Sequence, residues 1–178
     1  KQFKDKRTYH KNFKMQDIIP DSIKFRSKIF NDFFNSIKNE VFNYDNGDKI
    51  DRYINLPEIS IKFARGGLHS EDKPKFVKNV KGYLQEKDIG SMYPWTIVSE
   101  KIYPKHLGVE WNEGIKSSYF YRSETLKPLL KTLKKGTEEY NKVNAEQEIY
   151  KLALNGGGFG KLGSSFNWQY DDLAKYKV

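Results

Sequence analysis

Near the N-terminal end the apolar positions fall at helical spacing. Phe30, Phe33, Phe34, Ile37 and Val41 lie three or four residues apart and would share one face of an amphipathic helix. Ile19-Pro20-Asp21-Ser22 ahead of them reads as the helix start, and Asn43-Tyr44-Asp45-Asn46-Gly47-Asp48 as a turn. The period then drops to two. Ile59, Ile61 and Phe63 alternate with polar neighbours, as in a half-buried strand, and Arg65-Gly66-Gly67 ends it. After a linker around residues 71–74, Tyr83 and Leu84 lead towards Ile89, which predicts a strand carrying Asp88 at its end. Pro94 is tolerated in a first helical turn, so residues 92–100 read as a strand-to-helix transition. Tyr103-Pro104-Lys105-His106-Leu107-Gly108 reads as a loop.

Helical spacing returns over residues 112–133, where Ile115, Tyr119, Leu126, Leu129, Leu130 and Leu133 are the apolar positions and Pro128 predicts a kink. Residues 134–137 form a turn with Thr137 as N-cap, and a second helix is predicted over 138–154. So short a connection makes the two helices antiparallel neighbours. The pattern as a whole predicts an α+β fold with a basic helical hairpin inserted into it. No internal repeat or low-complexity tract interrupts it.

The chain has 178 residues, enough for one large domain or two small ones, and only 37% are hydrophobic. Twelve Tyr, twelve Phe and three Trp compensate, because each aromatic ring buries a large area. Thirty-two Lys and Arg face twenty-three acids, a net charge of +9, so a polyanion is the expected partner and nucleic acid the default one. Without cysteine there is no disulfide framework, thiolate metal site or Cys nucleophile, which suits the cytoplasm. No apolar run approaches the roughly 18 residues of a membrane span. The basic residues 1–7 lack the apolar segment of a signal peptide. His10, His69 and His106 have no metal-ligand spacing. No P-loop is present, and Gly156 to Gly160 follows a predicted helix, so it is no dinucleotide fingerprint.

Two stretches carry the chemistry. The first is Asp88-Ile89-Gly90-Ser91-Met92-Tyr93-Pro94. Mg²⁺ takes oxygen ligands, so the Asp88 carboxylate and the Ile89 carbonyl are candidate metal ligands. The turn behind them offers backbone N–H groups to phosphate oxygens. The second is Lys151-Leu152-Ala153-Leu154-Asn155 running into Gly156-Gly157-Gly158-Phe159-Gly160-Lys161, with Lys151 and Asn155 one helical turn apart on one face. A Lys there binds a triphosphate as a point charge.

In this order, with a basic hairpin between them, the two stretches resemble motifs A and B of family B DNA polymerases, phage type. Met92 stands where the family's Asp-x-x-Ser-Leu-Tyr-Pro has Leu. Three glycines separate Asn155 from Phe159, one residue more than the family's Lys-x-x-x-Asn-x-x-aromatic-Gly. Either a glycine bulge absorbs that residue or the register of Lys151 and Asn155 shifts. Ala64-Arg65-Gly66-Gly67 resembles the Tyr-x-Gly-Gly loop that touches the template, with Ala64 in the aromatic's place. The loop 103–108 followed by Arg122 and Lys127 resembles the start of the family's fingers helices.

The resemblance covers about residues 19–178 and implies a partial palm, an antiparallel sheet with helices, carrying a helical-hairpin fingers subdomain. Residues 1–57 would lead into the palm, 58–111 carry the Gly-Gly loop and motif A, 112–161 form the fingers, and 162–178 return towards the palm. The implied activity is addition of dNTPs to a primer 3′ end on a DNA primer-template, using two Mg²⁺ ions. Asp88 would be the catalytic metal ligand, with Ile89. Ser91 and Met92 would meet the phosphates, Tyr93 the sugar, and Arg122, Lys127, Lys151 and Asn155 the nucleotide; Arg65, Gly66, Gly67, Gly160 and Lys161 would meet DNA. The implied location is the cytoplasm of a bacterial host or phage-infected cell. The family's second carboxylate motif is not matched: Tyr170-Asp171-Asp172 comes too soon after Gly160 for a buried strand hairpin. The chain is therefore expected to be a fragment, inactive alone. A non-catalytic nucleic-acid-binding module on the same scaffold is the alternative.

Overall fold

A computed structural model describes residues 7–19, 23–43, 50–57, 59–64, 67–71 and 87–178. They form two compact units, one of His10–Gly90, the other of Ser91–Val178 together with the N-terminal stretch ending at Tyr9. The division runs through the expected 58–111 segment. The fold class is α+β, with small antiparallel sheets and several helices.

In the first unit, β1 (Asn12–Lys14) pairs antiparallel with β2 (Val41–Asn43), and α1 (Lys28–Ile37) lies between them in sequence. Phe13 and Phe42 face each other in register and stack at 5.7 Å, and with Met15, Ile18 and Ile37 they are buried. Val41 is not part of the helical stripe. The helix stops at Ile37, and Val41 is extended and exposed, because the ladder to Lys14 takes up its backbone and its β-branch suits a strand. β3 (Arg52–Asn55), β4 (Ser60–Ala64) and β5 (Gly67–Ser70) form an antiparallel meander. Ile61 and Phe63 lie in β4 as their alternation predicts, while Ile59 precedes it. Phe63 meets Phe33 and Phe34 of α1 edge-on, the contact that seats the helix on the sheet. Residues 44–49, 65, 66 and 72–86, and with them the predicted turn, Arg65, Gly66, Tyr83 and Leu84, lie outside the described residues. Residues 87–89 have no regular secondary structure, so Asp88 stands on exposed coil and not on a strand end.

The second unit is helical. α2 (Met92–Ser99) leads through a loop to α3 (Val109–Phe120), which runs without a break into a π-helical segment (Tyr121–Leu126) and α4 (Lys127–Thr132). Pro128 sits in the first turn of α4. Its nitrogen cannot donate, and its ring crowds the carbonyl four residues back, at Glu124 inside the π segment, so the wide turns take the place of a simple kink. After the turn, Thr137 caps α5 (Glu138–Leu152) by accepting from the Tyr140 N–H. A second π segment (Ala153–Gly160) carries the helix past the predicted end at residue 154. α6 (Asp172–Lys177) closes the chain, and Asp171 is its N-cap. Ile97, Ile102, Leu162 and Ala174 form the core, with Trp111, Ile115 and Phe159 packed against it.

One buried amide organises this core. The Asn112 Nδ2 donates to the carbonyls of Ile97 and Ile102, at 2.7 and 2.9 Å. Carbonyls at a helix C-terminus have no partner within the helix, and α3 supplies one to the end of α2. Among the described residues no helix is long and apolar enough to cross a membrane.

Candidate functional site

Ser91 begins the site. It is the N-cap of α2, yet its backbone is left-handed (φ 62°) and its hydroxyl does not cap the helix. A non-glycine residue held there costs about 1–3 kcal/mol, so something must hold it. The hydroxyl accepts a hydrogen bond from Arg122 Nη1 at 2.8 Å, while Arg122 Nε donates to the Gln147 carbonyl at 3.3 Å. Arg122 is only 6% exposed. The first π segment turns its side chain inward, where it ties the start of α2 to α5. Burial lowers its pKa, with Glu148 and then Tyr119 opposing, but a guanidinium stays charged.

Three lysines share this field. The pKa of Lys127 is lowered, first by burial and then by Arg122, Lys131 and Lys151. Lys151 is exposed and bridges Glu148 at 3.2 Å, one turn earlier on α5. Glu148 accepts from the Gln147 amide at 2.8 Å. That bond, then Lys151, then the more distant Arg122 hold its carboxyl below the usual range. Four cations thus influence one region, with Glu148 as their counter-charge.

The aromatic side of the site is a three-part stack. The rings of Tyr93 and Phe159 lie parallel, within 2° and 4.1 Å apart. The Lys175 Nζ is 2.9 Å from the Phe159 centroid and donates to the Phe159 carbonyl at 3.1 Å. A ring at 4.1 Å leaves no room for an ammonium between, so Lys175 must occupy the opposite face of Phe159. The C-terminal helix thereby clamps the second π segment.

Within that segment each glycine has its own reason or none. A Cβ on Gly158 would come within 3.1 Å of Ile115 Cδ1, and one on Gly160 within 3.3 Å of the Asn155 carbonyl. Gly156 and Gly157 face open space. Asn155 to Phe159 lie in i→i+5 turns, which hold one more residue than α turns.

The structure therefore brings Ser91, Tyr93, Arg122, Lys127 and Lys151 into one unit. Met92 is exposed on the first turn of α2, and Asn155 is half-buried, its side chain without a hydrogen bond among the described residues. Gly160 and Lys161 are exposed at the end of the π segment. Asp88, Ile89 and Gly67 belong to the other unit, with Asp88 and Ile89 exposed and Gly67 opening β5 at φ 126°. Asp88 joins no group of three acidic or histidine side chains among the described residues. One carboxylate and one carbonyl do not make up a two-ion magnesium site. The Asp171 carboxylate accepts from the N–H groups of Ala174 and Lys105, both at 2.9 Å, a structural use of that side chain.

Sequence reasoning missed Glu148, Lys131 and Lys175. The Glu-x-x-Lys spacing to Lys151 was a usable signal for the first. Nothing in the sequence linked Lys175 to Phe159. No protein-family model, curated protein or solved structure matches this chain.

Proposed function

We propose that this chain is the palm-and-fingers portion of a family B-like, phage-type DNA polymerase, and that its helical unit binds the incoming dNTP. The observation that supports this most is the convergence of Ser91, Arg122, Lys127 and Lys151, which come from three separate stretches of sequence. A triphosphate needs clustered positive charge and free N–H groups. Lys127 and Lys151 provide the charge, while Arg122 positions Ser91 and the first turn of α2. In this reading the Tyr93 ring, backed by Phe159, meets the sugar, and Gly156 and Gly157, where a Cβ would meet no atom, face the base pair without side chains. In this reading Asp88 and the Ile89 carbonyl supply part of a two-Mg²⁺ site and the remaining ligands are supplied elsewhere.

Titration of the chain with a fluorescent dATP analogue tests the reading. Lys127→Ala and Lys151→Ala should each weaken binding about tenfold, on the scale of a charge-assisted hydrogen bond, and equal binding by both variants would sink it. Magnesium-dependent primer extension by these residues alone would contradict the incomplete metal site. That Asp88 joins no acidic group among the described residues favours a second reading, a nucleic-acid-binding module without catalysis. That module would bind primer-template in a strongly salt-dependent way, ignore Asp88→Ala and show no triphosphate affinity.

A further inference from the structure

Phe166 is 88% exposed, the most exposed large apolar side chain among the described residues. Its turn is nevertheless braced on several sides. The Asn167 N–H closes the turn on the Ser164 carbonyl at 2.8 Å, and the Asn167 side chain accepts from the Gln169 N–H at 3.0 Å. The Ser165 carbonyl accepts from the Arg7 guanidinium and from the Tyr9 hydroxyl. Two residues past Phe166, the Trp168 carbonyl pairs with His106 Nε2 at 2.7 Å, and His106 Nδ1 pairs with Thr8 Oγ1 at 2.8 Å. A carbonyl only accepts, so Nε2 carries the proton. A firmly held turn that points a phenyl ring into water gains nothing from that ring in folding.

The surroundings indicate what the ring is for. Tyr9 (56% exposed) and Trp168 (41%) offer further aromatic surface beside the turn, and the Arg7 guanidinium lies over the Tyr9 ring at 5.7 Å. Along residues 160–178 Lys161 is exposed and Lys177 half-buried, whereas Asp171 and Asp172 are buried. Lys105, whose N–H is bound by Asp171, is exposed as well. Aromatic faces among accessible cations match a strand that has both phosphates and unpaired bases. A duplex hides its base faces, and an apolar protein partner would not call for the cations.

We propose that the turn at residues 164–167 presents Phe166 as a stacking platform for an unpaired nucleobase, and that this face binds single-stranded nucleic acid. The site uses none of the residues of the triphosphate cluster, so the two readings fail separately.

Fluorescence anisotropy with labelled oligo-dT, and with a strand of equal length whose sugars carry no base, tests it. The chain should bind oligo-dT, and Phe166→Ala should weaken that binding roughly 5- to 100-fold, as for loss of one stacked base. Phe166→Leu should lose as much, since an apolar side chain without a π-face does not replace stacking. The base-free strand should bind weakly and be indifferent to Phe166→Ala. Lys105→Ala should lower the salt slope by about one. Binding of the dATP analogue should be unchanged in Phe166→Ala. Absence of oligo-dT binding, wild-type affinity in Phe166→Ala, or full rescue by Leu would each overturn the proposal.

Discussion

Residues Tyr121–Leu126 and Ala153–Gly160 both leave the α-helical path for wider turns, one around a buried guanidinium, the other around glycines. In the first segment Arg122 fills the space it creates and is bonded to Ser91 and Gln147. In the second, Gly156 and Gly157 leave space unfilled, while Gly158 is close to the Ile115 side chain and Gly160 to the Asn155 carbonyl. The first is defined by what it contains and the second by what it omits. Substitutions in the first should therefore lower stability and ligand affinity together, whereas in the second the two should separate.

The hardest blow to this contrast is Arg122→Leu. It removes the guanidinium's bonds to the Gln147 carbonyl and the Ser91 hydroxyl and releases a left-handed serine. Urea unfolding should show a loss of about 2–4 kcal/mol, with dATP-analogue binding lost in parallel. A loss below about 0.5 kcal/mol, the range of neutral surface changes, would show that the guanidinium does not hold the segment. Gly156→Ala should go the other way on stability, gaining about 0.5–1 kcal/mol because alanine loses less backbone entropy in a helix. Its nucleotide affinity should fall, since the methyl group enters the open space. If stability and affinity fall together, the space is not what that glycine provides.

Two smaller effects sharpen the electrostatic side. Glu148→Gln removes the counter-charge from Lys151 and should raise triphosphate affinity about two- to fivefold at low salt, the scale of an exposed ion pair. Unchanged affinity would place Lys151 outside the site. Lys127 has a folded pKa below the usual 10.5, so the unfolded chain binds its proton more tightly. Its contribution to stability therefore rises with pH between the lowered value and 10.5. A bound polyphosphate reverses the shift, so less than one proton should be taken up on binding within that window. Calorimetry in buffers of different ionisation heat should detect the uptake, and Lys127→Arg should abolish it.

The hairpin was legible in the sequence because Ile115, Leu126 and their neighbours repeat at helical spacing and Thr137 marks a start. The π segments were not, since spacing counts assume one pitch throughout and an i→i+5 turn has no composition of its own. Arg122 was legible as a candidate but not as a buried residue, because its partners lie 31 and 25 positions away. Val41 shows the opposite limit: it fits the helical stripe by number, and pairing with β1 decided otherwise. Asp88 was read from the string around it, and local pattern does not reveal where a second carboxylate would come from.

The glycine-rich π segment also bears on how the chain can change by insertion and deletion. In an α-helix one added residue rotates everything after it by about 100°. Here the rotation is absorbed within Ala153–Gly160, so Phe159 still reaches Tyr93 and Lys175. A side chain at Gly156 or Gly157 would meet no neighbouring atom, so removing one of them costs no side-chain contact and narrows the turn. This stretch is thus a place where the length of the chain can vary by one residue while the stack beyond it stays in register.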